Sequence, residues 1–127
     1  MMSVQQLELR ANDLRQAVIT MLATAGSGHS AGPLGLAELF SVLYFRTLRQ
    51  KPKSPSWSER DRLILSAGHL VPIRYVAMAY AGYFPKTELK SLRQLNSRLQ
   101  GHPSLVDLSS MEASAGPLGQ GLSVAVG

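Results

Sequence analysis

The chain has 127 residues, of which 45% are hydrophobic and 17% are charged, and its formal net charge is +5. This length suits one domain with one core, and the composition is that of an ordered globular protein rather than a disordered tail. Because the sequence contains no cysteine, it excludes disulfides, thiolate metal sites and cysteine nucleophiles. The polar start and the absence of a long apolar run predict a cytoplasmic protein with no membrane contact.

The basic residues are spread along the chain, and only residues 46–53 are locally dense. Cations at that place interact favourably with the negative end of the preceding helix dipole. Aromatic residues do not alternate with the basic ones, as a stacking platform for single-stranded nucleic acid would require. We therefore expect a solvated basic surface that is compatible with anionic substrates, and no nucleic-acid partner.

Two amphipathic helices are predicted in the first half of the chain. Ser3 is a suitable N-cap, apolar residues then recur at helical spacing, and the Gly26–Gly28 segment ends the helix. A second helix is predicted over about residues 34–48. The two prolines within residues 51–56 then predict a loop.

The second half of the chain contains one predicted strand, Arg62–Ser66, which is short, apolar and followed by a glycine turn. Helices are predicted over Val71–Tyr80, ending at Gly82, and over Thr87–Leu95, with Thr87 as its cap.

Residues 97–114 are predicted to form a loop, and residues 116–127 a glycine-rich turn that passes into a helix. A parallel sheet needs several strands, and the sequence offers one. We therefore expect a helix-rich and incomplete part of a larger α/β domain.

All three histidines follow a glycine, in the pairs Gly28–His29, Gly68–His69 and Gly101–His102. Glycine lets the backbone approach a ligand closely, and histidine exchanges protons near neutral pH. One such pair is most simply an ordinary loop, whereas three suggest a polar cavity that handles protons. Zinc is disfavoured, because no cysteine and no closely spaced histidine pair is present.

Two glycine-rich segments, Gly26–His29 and Gly116–Gly121, each precede a predicted helix, where exposed N–H groups attract anions. Neither matches a Walker loop or the dinucleotide-binding motif. For Gly116–Gly121 alone, tight backbone packing and ligand binding stay equally open.

Four segments in this order, Gly26–His29, Arg60–His69, Arg93–Pro103 and Gly116–Gly121, resemble the N-terminal thiamin diphosphate-binding domain of transketolases. The segment Ser97–Pro103 is especially similar to the N-terminal subunit of split bacterial transketolases. The resemblance covers nearly the whole chain, and the ordered set is far more specific than any single motif.

The resemblance implies a fold for residues 1–127: the helix-rich N-terminal part of an α/β, parallel-sheet domain of the transketolase diphosphate-binding (PP) type, here incomplete. The family's Gly-Asp-Gly metal motif would follow Gly127, so no metal ligand is assigned within this chain. The resemblance also shows departures, since Ser30 replaces a usual proline and Leu70–Val71 replace small residues.

The resemblance also implies site residues. His29 matches a catalytic histidine that contacts substrate hydroxyls, and His102 matches one that holds the ketose end of the donor sugar. Three positions match cofactor contacts: His69, Gly116 and Leu118. Thiamin diphosphate and Mg²⁺ are both expected for the complete domain.

The implied function is transfer of a two-carbon ketol unit between sugar phosphates. The implied partners are a C-terminal transketolase section with its pyrimidine-binding domain and a further copy of the chain. This chain alone is expected to be inactive. The alternative is a non-catalytic fragment or interaction module that keeps the fold without binding cofactor, and related thiamin enzymes such as deoxyxylulose phosphate synthase share part of the motif set.

Overall fold

The computed structural model describes residues 2–127, and every regular element in that range is helical. The five α-helices are α1 (Val4–Ala25), α2 (Ala31–Gly35), α3 (Ala37–Val42), α4 (Val71–Ala81) and α5 (Gln120–Val126). Shorter turns are a π turn at Leu43–Thr47 and 3₁₀ turns at Gly68–Leu70 and Lys86–Ser91. Across residues 2–127, no helix has the length and apolar character needed to cross a membrane.

Helix α1 begins and ends at the predicted residues. The Ser3 hydroxyl accepts a hydrogen bond from the Gln6 N–H, and the Gln6 side chain accepts one from the Ser3 N–H, which completes a capping box. Gly26 ends the helix with a left-handed φ of 65°. The buried side of α1 consists of Leu7, Ala11, Leu14, Val18 and Met21.

Helix α4 is the centre of the core and confirms the prediction for residues 71–80. Pro72 lies in the first turn, where a missing N–H costs nothing, and Gly82 ends the helix with φ 95°. Every residue from Val71 to Ala79 is buried, because α1 and α3 both pack against this helix.

The prediction of one helix over residues 34–48 is wrong, because the segment is divided into α2, α3 and the π turn. Leu36 separates α2 from α3 with φ −102° and ψ 8°. The interruption places Ala37 and Phe40 in the core and lets the Ser41 hydroxyl donate to the Leu7 carbonyl over 2.7 Å. Contacts with α1 therefore override the helical continuity of the sequence.

The predicted strand Arg62–Ser66 is not formed among the described residues. A strand is defined by its ladder with a neighbour, and no backbone hydrogen bond joins this segment to another part of residues 2–127. Leu63 and Leu65 instead pack half-buried against the helical core.

The predicted helix Thr87–Leu95 is also wrong, since only the 3₁₀ turn is formed there. Arg93 and Asn96 have left-handed φ values of 61° and 64°, which a right-handed helix cannot include. The loop predicted over residues 97–114 is confirmed.

Candidate functional site

The three histidines, which lie far apart in the sequence, converge at one surface. The His29 ring centroid lies 5.1 Å from that of His69 and 6.4 Å from that of His102. His29 follows the end of α1, His69 lies in the turn before α4, and His102 lies in the long loop. Because His29 and His102 are exposed and His69 is half-buried, the three rings form an open polar surface.

Gly68 explains how two of these corners come so close. A Cβ at Gly68 would lie 2.9 Å from the Ala115 carbonyl oxygen and 3.0 Å from Cδ2 of His102. The Ala115 oxygen belongs to the backbone and cannot rotate away, so a side chain at position 68 would force the turn and the loop apart. The residue before His69 thereby fixes the turn against the loop that carries His102.

Tyr75 supports the same loop from inside the core. Its side chain is fully buried, and its hydroxyl donates to the Gln100 carbonyl over 3.0 Å. Burial raises the pKa of the Tyr75 hydroxyl, which keeps it protonated as a donor. The contact joins α4 to the segment just before His102.

Gly116 and Leu118 lie on the loop between Ala115 and α5. Gly116 is exposed, and no atom lies within 4 Å of the position its Cβ would take. The Leu118 side chain is 71% exposed. Gly116 follows Ala115, whose carbonyl oxygen lies close to Gly68, whereas the Leu118 side chain faces solvent.

Gly121 anchors α5 to the segment that leads to His69. Its N–H donates to the Ser66 hydroxyl over 3.1 Å, and a Cβ there would lie 2.6 Å from the Ser66 Cα. This close backbone contact is the packing alternative that the sequence left open for Gly116–Gly121, and it applies to Gly121. Ser66 was not singled out from the sequence.

Glu112, in the loop before Ala115, forms ion pairs with two arginines. Its carboxylate pairs with Arg60 at 2.8 Å and with Arg62 at 3.4 Å. The side chains of Arg60 and Glu112 are only 14% and 10% exposed. The pair therefore ties the start of the Arg60–His69 motif to the loop before Ala115.

Arg93 is a further residue at the site that sequence reasoning did not assign. Its guanidinium lies against Gly101 and near Gly28, the residues that precede His102 and His29. The sequence offers no signal for this contact, because arginine alone does not predict a left-handed backbone.

Within residues 2–127, no group of three or more His, Cys, Asp and Glu side chains is arranged to hold a metal ion.

Comparison with known proteins identifies the family. The family model described as "Transketolase, thiamine diphosphate binding domain" matches residues 7–127. Transketolase from Treponema pallidum is 42% identical over 127 residues, which are 99% of this chain and 19% of that protein.

Two further relatives agree. The 6-deoxy-6-sulfo-D-fructose transketolase subunit SqwG from a Clostridium species is 40% identical, over 99% of this chain and 46% of that protein. The structure of transketolase from Leishmania mexicana superposes with a TM-score of 0.91 at 35% identity, over 99% of this chain and 18% of the other. The chain thus spans less than half the length of these relatives, and it belongs to the transketolase thiamine diphosphate-binding domain family.

Proposed function

We propose that this chain contributes part of the active site of a transketolase, which moves a two-carbon ketol unit from one sugar phosphate to another. The observation that supports this most directly is the convergence of the three histidines. The ring centroid of His29 lies 5.1 Å from that of His69 and 6.4 Å from that of His102. Each half of a ketol transfer moves protons on and off sugar oxygens, which is work that histidine performs near neutral pH.

The exposed histidines are the proposed substrate contacts. His29 and His102 lie on the open side of the surface, where a sugar can reach their ring nitrogens. Each ring can donate a hydrogen bond to a hydroxyl or carbonyl oxygen, or accept the proton that such an oxygen loses. His29 contacts both other rings, so it is placed to act with either.

Thiamin diphosphate would be held from this side by His69, Gly116 and Leu118. Gly116 leaves open space for a ring to approach the backbone, and the exposed Leu118 side chain offers an apolar contact to an aromatic ring. The residues present therefore fit an aromatic cofactor. When bound, thiamin diphosphate supplies the carbanion chemistry, while the protein supplies position and proton transfer.

Mg²⁺ would bind the diphosphate of the cofactor through oxygen ligands. The described residues do not bring together a metal-binding group. We propose that the ligands for Mg²⁺ come from outside this chain, together with the strands that would pair with residues 62–66 in a parallel sheet.

A partner surface is proposed at α5. Two apolar side chains there are largely exposed, Leu122 at 72% and Val126 at 83%. Exposed apolar groups in one short segment are typical of an interface. We propose that this surface meets a section carrying the pyrimidine-binding domain, that the assembly self-associates, and that it acts in the cytoplasm.

The same surface supports a second candidate function, a non-catalytic interaction module. In that case α5 contacts a partner, but neither thiamin diphosphate nor a sugar phosphate binds at the histidines. The two functions differ in whether cofactor binding depends on His69.

Calorimetric titration with thiamin diphosphate and Mg²⁺ tests the proposal, with the chain alone and mixed with a transketolase section that carries both the Gly-Asp-Gly motif and the pyrimidine-binding domain. We expect saturable binding only in the mixture, and weaker binding for His69→Ala. Gln94→Ala, an exposed loop residue outside the histidine surface, is the control and should bind as the native chain does. Absence of binding in the mixture would favour the interaction module, and tight binding to the chain alone would contradict the proposed division of the site.

A further inference from the structure

Arg74 is a charged residue in the middle of the buried helix α4. It is only 2% exposed, and every residue from Val71 to Ala79 is buried with it. Charged side chains are seldom buried this deeply unless a partner replaces the lost hydration. Within residues 2–127, no carboxylate lies at ion-pair distance from this guanidinium. The hydration lost by Arg74 must therefore be replaced in another way.

Two of the three guanidinium nitrogens of Arg74, Nε and Nη1, are buried without a hydrogen-bond partner in the part of the chain that the structure describes. A buried donor without an acceptor destabilises the folded state, and native proteins rarely keep such donors unsatisfied. Arg10 Nε is the other unpartnered atom in that part, but Arg10 pairs with Asp13 and lies over the Phe45 ring. Arg74 therefore has the greater need for an acceptor.

A small cavity of about 20 Å³ is lined by Arg74 and by the polar side chains of Asp61, Ser110 and Glu112. A polar space of this size holds about one water molecule. Tyr44 also lines it. Burial raises the pKa of the Tyr44 hydroxyl, while the Arg74 charge opposes that rise and the Glu112 charge adds to it. The cation and the carboxylate thus act on the same small space.

Glu112 offers an acceptor at this cavity. Both of its ion pairs, with Arg60 and Arg62, use Oε2, and within residues 2–127 the side-chain hydrogen bonds to this carboxylate also go to Oε2. The Asp61 carboxylate is less available, because both of its oxygens accept hydrogen bonds from Arg49. A molecule in the cavity can therefore donate to Oε1 of Glu112.

We propose that an ordered water molecule binds in this cavity, where it accepts a hydrogen bond from the Arg74 guanidinium and donates one to Oε1 of Glu112. The Ser110 hydroxyl, in the same lining, is the third partner. Buried waters make about three hydrogen bonds to polar groups that lack other partners. The bridge joins the core helix α4 to the loop before Ala115, and it does not depend on the proposed function.

Water fits this cavity better than an anion does. Chloride would also accept from the Arg74 donors, but it is larger than water and would lie against the carboxylates of Asp61 and Glu112, which repel it. A water molecule accepts from the cation and donates to the carboxylate at the same time. The mixed charge of the lining therefore favours a neutral molecule with both functions.

NMR of the chain tests the bridge through NOE and ROE cross-peaks between water and the Nε–H and Nη–H groups of arginine. We expect Arg74 to show cross-peaks of opposite sign in the two experiments, as a long-lived bound water gives, whereas proton exchange gives the same sign in both. These cross-peaks should be lost in Arg74→Met, which removes the donors and keeps an extended side chain. Arg46, an exposed arginine outside the cavity, is the control and should show no long-lived water.

Absence of such cross-peaks at Arg74 in the folded chain would overturn the proposal, and so would cross-peaks of the same sign in both experiments. Saturable shifts of the Arg74 signals when chloride replaces sulfate at constant ionic strength would assign the cavity to an anion and overturn it as well. If Arg74→Met does not fold, cross-peaks from the guanidinium protons to the Tyr44 ring identify the Arg74 signals, so that the native chain alone decides.

Discussion

The Tyr75 hydroxyl donates a hydrogen bond to the Gln100 carbonyl over 3.0 Å, and this contact joins the most buried helix of the chain to the loop that carries His102. Tyr75 is fully buried, so its position is set by the core. The contact therefore ties the loop that carries the exposed His102 to the tightly packed helix α4.

Tyr75→Phe tests this relationship. The substitution leaves the Gln100 carbonyl without its donor, and we expect a loss of about 1–3 kcal/mol in the free energy of unfolding. Tyr80→Phe is the control, because Tyr80 lies in the same helix and its hydroxyl has no hydrogen-bond partner in residues 2–127. Urea unfolding measures both, and equal losses in the two variants would contradict the role given to Tyr75.

Gly68→Ala is expected to displace His102. The added methyl group would lie 2.9 Å from the Ala115 carbonyl oxygen and 3.0 Å from the His102 ring, so the turn and the loop must move apart. Gly116→Ala is the matched control, because its methyl group meets open space. NMR shifts of the His102 ring should change in the first variant only, and an unchanged His102 signal in Gly68→Ala would contradict the packing described here.

Gly121→Ala is expected to release α5 from Ser66. The methyl group would lie 2.6 Å from the Ser66 Cα, where the neighbouring atoms are the backbone and Cβ of Ser66, which cannot rotate away. Hydrogen exchange of the α5 amides should accelerate by at least about tenfold. Gly35→Ala, whose methyl group would meet nothing within 4 Å, provides the control, and unchanged protection of α5 in Gly121→Ala would show that this contact does not hold the helix.

The helices with strong local signals were predictable from the sequence. Ser3 caps α1, and Gly26 and Gly82 end α1 and α4 in left-handed conformations, as their positions in the pattern indicate. The predicted elements that the structure does not form lie where tertiary contacts override the local sequence pattern. The strand Arg62–Ser66 lacks a neighbour among the described residues, and Arg93 adopts φ 61° although arginine is an ordinary helix former.

The candidate site was predictable in part, for a similar reason. The repeated Gly–His pairs identified the three residues whose rings converge. Ser66, Tyr75 and Arg93 were missed because each acts through a distant contact: with Gly121, with Gln100 and with the two glycine corners. No periodicity or motif encodes such a contact. The catalytic and cofactor roles of His29, His69, His102, Gly116 and Leu118 stay predictions.

Glu112→Gln is expected to destabilise the chain. The carboxylate is largely buried and pairs with Arg60 and Arg62, so its loss leaves a mostly buried guanidinium without its counter-ion. We expect a loss of about 1–3 kcal/mol in the free energy of unfolding. Glu59→Gln makes the same chemical change at an exposed residue and should change stability by less than about 0.5 kcal/mol. Similar losses in both variants would show that the Glu112 pairs contribute nothing specific.

Ionisation of the Tyr83 hydroxyl is expected to lower the stability of the folded chain at alkaline pH. Burial, followed by the nearby charge of Tyr44, raises the pKa of the Tyr83 hydroxyl to about 12 from its usual value near 10. The folded state therefore holds this proton more tightly than the unfolded state. The stability linked to the proton is fully present below about pH 10 and is lost as the pH rises toward 12.

Urea unfolding at a series of pH values from 9 to about 12 measures this loss. In Tyr83→Phe the stability should fall less steeply over that range, although not to zero, because burial also raises the pKa of Tyr75. The substitution also removes the hydrogen bond from Tyr83 to the Gln50 side chain, 3.0 Å long, so the comparison concerns the slope with pH rather than the absolute stability. An identical slope in the native chain and in Tyr83→Phe would show that Tyr83 titrates equally in the folded and unfolded states, and would contradict the effect of burial on its pKa.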